Sequence, residues 1–252
     1  MIKIFRKIRQ KLLSENKFNK YLLYAIGEVF LVVVGILIAL SINNWNEKVK
    51  NKTSEQELLI SLLQEFETNL EILNKTIQKN TEIFETCTKI GEITAPTNTN
   101  LNEKNISELL VGAFKYESKF IPNSGIMSEA NNSGQLSLIY DSNLRNSISK
   151  WLSQLELVAR QENYVVELRD YTHKFFIDNG NFRRHLDLIN DALIDVKPSK
   201  FPNNDFGFLK NQQFESNLYL FIVASINLNK VYYSPLKKQT ELVIEQIKRN
   251  VK

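Results

Sequence analysis

Residues 21–42 read YLLYAIGEVFLVVVGILIALSI, an apolar run broken by one acid, Glu28. A bilayer's hydrocarbon core is about 30 Å thick and takes about 20 helical residues to cross. The run is long enough only with Glu28 inside it. Its uninterrupted part, Val29 to Leu40, would reach about 18 Å at 1.5 Å per residue. Glu28 is therefore expected inside the cytoplasmic leaflet and not at the midplane. Tyr21, Tyr24 and Trp45 flank the run as interfacial aromatics do.

Orientation follows from the short flanks. Residues 1–20 carry Lys3, Arg6, Lys7, Arg9, Lys11, Lys17 and Lys20 against Glu15 alone. The 12 residues after Ile42 carry Lys48, Lys50 and Lys52 against Glu47. This asymmetry keeps a basic tail, 1–20, in the cytoplasm, runs a helix through 21–45 of a bacterial inner membrane, and exports 46–252 to the periplasm. Two other readings compete. A cleaved signal peptide shares the basic start, and Ala39-Leu40-Ser41 resembles a small-residue cleavage site; the long start and the early acid speak against it. A buried core helix is opposed by apolar residues on every face and by the charge asymmetry. Within the tail, Phe5, Ile8 and Leu12 stand at helical spacing. They fit an interfacial helix on the anionic inner leaflet, or a plain orienting flank.

Composition narrows the remainder. Seven cations against one acid give the tail +6, so the overall +4 leaves −2 for the rest of the chain. The basicity belongs to topology, and a nucleic-acid partner is not expected. A single cysteine, Cys87, precludes an intrachain disulfide. Eight Gly and five Pro in 252 residues favour long helices over a turn-rich β architecture.

After the span, Leu59, Leu63, Phe66, Leu70, Leu73, Ile77, Asn80, Phe84 and Cys87 follow steps of four and three, the seam of a coiled coil or bundle. Asn80 is the polar exception: it fixes register, or it sits at an edge in water. Gly91 suits the helix end. Residues 94–104 read as a loop, and Asn105 followed by Glu108 as a capping arrangement opening a short helix. Asp141 caps a helix from Ser142 to about Phe176, with Leu144, Ile148, Trp151, Leu155, Val158, Val165 and Leu168 as its stripe. Phe182, Leu186, Ile189 and Leu193 make a shorter helix. A last helix from Asn211 carries Phe214, Leu218, Phe221, Ile222, Ser225, Leu228 and Val231, and Pro235 should kink or break it. The expected fold is all-α: one N-terminal transmembrane helix, then an exported antiparallel bundle of long helices built from 50–91, 142–178 and 211–252.

The opening through Ile42-Asn43-Asn44-Trp45-Asn46-Glu47, and above all Ala25-Ile26-Gly27-Glu28, resembles a family of uncharacterised Bacteroidetes membrane proteins, the domain of unknown function DUF6090. The likeness is specific over roughly residues 1–70. The region of Ser133-Gly134-Gln135-Leu136, followed by a long helix, is similar more loosely. The resemblance implies an organism group and a topology, not a reaction.

Glu28 is the sharpest candidate for function, because an ionisable group within a span usually faces protein or water. Gly35, Ala39 and Asn46 fall within about 20° of it on a helical wheel. Gly35-x-x-x-Ala39 is a small-residue pair that lets another helix come close. The face Glu28, Gly35, Ala39 is therefore read as a packing face toward a second copy or another inner-membrane protein. Two alternatives stay open. Glu28 snorkels toward Lys20 or Tyr24 at the interface, or it couples to protons, as lone acids do in flagellar-stator and biopolymer-transport subunits of similar layout.

No other constellation points to chemistry. His173 and His185 lack a cysteine pair at zinc spacing. Ser, His and Asp occur without a nucleophile elbow, and no phosphate-cradling glycine loop is present. No catalysis and no cofactor are expected. The leading expectation is a membrane-anchored helical interaction or scaffold module of the bacterial envelope. The alternatives are a periplasmic ligand-sensing bundle acting through a partner, and a proton-coupled accessory subunit using Glu28.

Overall fold

The computed structural model describes residues 18–97, 101–189 and 197–251. The tail residues Phe5, Ile8 and Leu12, and Leu193, lie outside the described residues. The chain divides into two compact units, Met1–Glu57 and Leu58–Lys252. One helix, α1 (Phe18–Glu92), supplies residues to both. In the first unit it is long and apolar enough to cross a membrane, and none of its apolar window is buried.

The second unit holds the rest of α1, then α2 (Glu103–Phe114), α3 (Gly125–Asn132), a 3₁₀ turn (Gln135–Leu138) and α4 (Ser142–Asn179). There follow α5 (Phe182–Ile189), a second 3₁₀ turn (Gly207–Lys210), α6 (Gln212–Asn227), a π turn (Leu228–Tyr233) and α7 (Ser234–Asn250). The described residues contain no strand. The chain is all-α, as its periodicity implies.

Short polar residues open the helices where the sequence places them. Asp141 accepts from the backbone N–H of Asn143 at 2.8 Å, and Asn211 from that of Gln213 at 2.8 Å. At α2 the expectation is corrected. The cap is Asn102, which accepts from the N–H of Asn105 at 3.1 Å, so the helix begins two residues before Asn105. Gly91 is also reassigned. It lies within the last turn of α1, where a Cβ would come within 2.9 Å of the Tyr219 hydroxyl. The helix ends one residue after it, close to the expected place, without a left-handed glycine cap.

Three long elements make the core. Glu67 pairs with Lys248, Asn80 bonds to Ser225 and Asn229, and Gly91 lies under Tyr219, so α1 and the α6–α7 arm run antiparallel. Ser147 with Gln239, Trp151 with Thr240 and Glu162 with Tyr233 set α4 antiparallel to the same arm. It follows that α1 and α4 run parallel, which needs the long connection through α2 and α3. Trp151 is the fully buried hub: its ring centroid lies 4.8 Å from that of Phe66, and its Nε1 donates to Thr240 Oγ1 at 2.9 Å.

The α1 seam is half as expected. Leu59, Phe66, Leu73, Asn80 and Cys87 are buried, but Leu63, Leu70, Ile77 and Phe84 are only partly covered. The buried positions between them are Leu62, Glu65, Asn69, Thr76 and Ile83, with Ile90 following. Asn69 and Thr76 are polar, so a pattern read from apolarity slips by one residue there. Asn80 is 2% exposed and donates to Ser225 O (2.9 Å) and Asn229 Oδ1 (2.8 Å), which supports the register reading over the edge reading. Pro235 does not break the last helix. The π turn widens the backbone just before it, and the Ser234 N–H reaches back five residues to Asn229 O.

Candidate functional site

On α1, Glu28 is partly covered, whereas Gly35 and Ala39 are exposed. Seven and eleven residues of helix separate the two small residues from Glu28 by about 10 and 16 Å along one face. A methyl group added to Gly35 would meet nothing within 4 Å. Ser41 turns its hydroxyl back to Leu37 O at 2.8 Å, which satisfies it without a partner outside the helix. Among its described residues the first unit places no second helix on this face.

The bundle contains a feature that periodicity did not reveal. Residues 115–124 form a non-helical strap from α2 to α3, held by its backbone. Asn69 accepts from the N–H of Asn123 at 2.7 Å and donates to its carbonyl at 2.8 Å. Glu162 accepts from the N–H of Phe120 at 2.7 Å and from the Tyr233 hydroxyl at 2.5 Å. Arg169 donates to Phe114 O, and Ser118 to Thr76 O at 3.0 Å. Glu65 accepts from the N–H groups of Ile126 (2.7 Å) and Met127 (3.0 Å). Ser124 provides no side-chain cap for α3, so Glu65 caps that helix from α1. These buried groups meet the strap's amides and anchor Phe120 in the core. Burial pushes the carboxyl of Glu162 above its ordinary range and the phenol of Tyr233 further above its own. One signal was available: Glu162 falls in the gap of the α4 stripe between Val158 and Val165.

A second polar corner joins α2, α5 and the following loop. Glu103 is paired with Arg184 and accepts from the N–H of Asn204 at 3.1 Å, which holds its carboxyl below the usual range. His185 is fully buried, with Nδ1 2.8 Å from Ser107 Oγ. Its Nε2 lies over Gly180 and has no hydrogen-bond partner. Burial lowers its pKa to about 4. Ser107 gives its hydroxyl proton to Glu103 O at 2.7 Å and is itself buried, so this Ser–His contact presents no nucleophile. His173 is half-buried and stacks on Phe114 with ring centroids 5.2 Å apart. Among the described residues no three His, Cys, Asp or Glu side chains are grouped to hold a metal. Burial pushes the Cys87 thiol up to about 12, which makes it inert. A surface niche of about 250 Å³ lies among Thr94, Pro96, Lys210, Gln212 and Glu215.

With this geometry in hand, the family model described as "Family of unknown function (DUF6090)" matches residues 28–192. The chain belongs to the DUF6090 family. The match starts at Glu28 and takes in the exposed face of α1, the strap and α4, while α6 and α7 lie beyond it. No curated protein and no solved structure matches the chain.

Proposed function

We propose that this DUF6090 protein is a membrane-anchored helical scaffold without catalytic activity. The tail stays in the cytoplasm, residues 21–45 span the inner membrane, and residues 46–252 stand in the periplasm. It docks another span through Glu28, Gly35 and Ala39. One observation carries this reading: the whole apolar window of α1 is uncovered by its own chain, with an acid and two small residues on one face. The ligand-sensing alternative draws less support, because interlocking rings from Phe114 through Phe176 and His185 to Phe206, Phe208 and Phe214 fill the region where α2 and α5 meet α4 and α6.

The test is the size of the detergent-extracted complex. Glu28→Leu or Gly35→Leu should shift its size or its co-purifying partners. Complexes unchanged in both variants would end the proposal.

A further inference from the structure

His185 closes the corner where α2, α5 and residues 197–206 meet, and the groups around it suit only a neutral ring. In the cation both ring nitrogens carry protons and must donate. Nδ1 then has the Ser107 oxygen at 2.8 Å, but it also meets the Asn204 amide nitrogen at 3.3 Å, donor against donor. Asn204 is kept from turning round, because its Oδ1 accepts from the N–H of Asn181 at 2.5 Å. Nε2 lies over Gly180 without a hydrogen-bond partner, and a buried donor left unpaired is costly. Two charges face the ring. Glu103 on α2 favours the cation, but its oxygens already serve Arg184 and the Asn204 N–H, and Arg184 on α5 opposes the cation. Elsewhere the ring meets Phe176 and Gly180 at the end of α4 and Phe206 beyond α5, none of them charged.

We infer that this corner is an acid-opened latch: a second proton on His185 frees α5 and residues 197–206 from α2. Opening hands both ring N–H groups to water and takes the Asn204 amide away from Nδ1. It also parts Asn204 from Glu103 on α2 and from Asn181 at the start of α5. The long helices have their own ties, Trp151 to Thr240 and Glu162 to Tyr233, and these stay. Opening of the corner alone is a local transition, separate from unfolding of the bundle. Closed, the ring stays neutral down to about pH 4; open to water, it titrates near its ordinary 6.5. The open form therefore gains as pH falls from 6.5 toward 4, and the latch is shut above that window.

Hydrogen exchange of the full-length chain in detergent tests this, read by mass spectrometry and corrected for the intrinsic pH dependence of exchange. Between pH 7 and pH 5, protection of peptides from 181–189 and 200–206 should fall by more than about tenfold, while peptides from α7 keep theirs. His185→Gln, which does not titrate, should show no such fall. Asn204→Asp puts an acceptor beside Nδ1 and keeps an oxygen for Asn181, so its corner should hold at pH 5 the protection it has at pH 7. Corner protection in the unaltered chain that does not change with pH would overturn the latch. So would the same acid loss in either variant, or an equal loss in α7, which would mean unfolding of the whole bundle.

Discussion

Tyr233 lies 71 residues from Glu162 in sequence and donates to its Oε1 in the core, the oxygen that also accepts from the Phe120 N–H. Tyr233→Phe keeps the ring and removes the donor, leaving Glu162 to the Phe120 N–H. The expected cost is about 1–3 kcal/mol, the range for taking a hydrogen-bond partner from a buried polar group. Denaturant unfolding of the detergent-extracted full chain measures it, and a change below about 0.5 kcal/mol would contradict the clamp. At the other polar corner, unfolded His185 takes a proton below about pH 6.5, whereas the folded side chain stays neutral down to about 4. Its contribution is thus complete above pH 6.5 and lost as pH falls between those values, by about 3 kcal/mol in all. Glu103, with its depressed pKa, adds an acid-side loss below its ordinary value of 4.5. His185→Gln should flatten the stability profile between pH 6.5 and 4 while leaving the steeper loss below it. An unchanged slope would show that His185 is not the titrating group. Of these groups only Glu162 left a mark beforehand, in the gap of the α4 stripe. Glu65, Asn69 and His185 look like ordinary polar residues until the strap and α5 fold back onto them.

At the scale of elements, periodicity reads the long helices well because each one buries a stripe. It fails where a helix buries polar side chains for the sake of another segment. The α1 seam slips at Asn69 because its amide serves the strap, where burial selects hydrogen-bonding capacity over apolarity; at Thr76 the strap takes only the backbone carbonyl, and the hydroxyl turns back to Ile72 O at 2.9 Å. Asn80 shows the same principle at the crossing with the α6–α7 arm. Its amide holds Ser225 and Asn229, and Asn229 in turn donates to Thr81 Oγ1 at 2.9 Å. Asn80→Ala should destabilise by about 1–3 kcal/mol, since the buried Ser225 carbonyl and the half-buried Asn229 oxygen both lose their donor. Asn80→Ala combined with Asn229→Ala should cost less than the sum of the single changes, as one network is lost only once. Additive losses in denaturant melts would contradict the shared network. Pro235 was visible in sequence, but the π turn shifts the buried stripe by a step of five, from Leu228 to Tyr233, so the expected stripe residue Val231 is exposed instead.

For the whole molecule, the candidate span was the most legible feature, since a helix that is apolar on every face and basic at one end suits lipid better than water. The face of Glu28, Gly35 and Ala39 could be read off a helical wheel, but its occupant lies outside one chain. The DUF6090 match supports membership from Glu28 onward and assigns no reaction. The proposed role requires that the chain cross the membrane once, with the bundle on the far side. Protease added to intact spheroplasts tests that most directly, read with an epitope at each terminus. The expected result is loss of the C-terminal epitope and survival of a short membrane-bound fragment bearing the N-terminal one. Full-length chain that keeps both epitopes while an exported control is digested would contradict it.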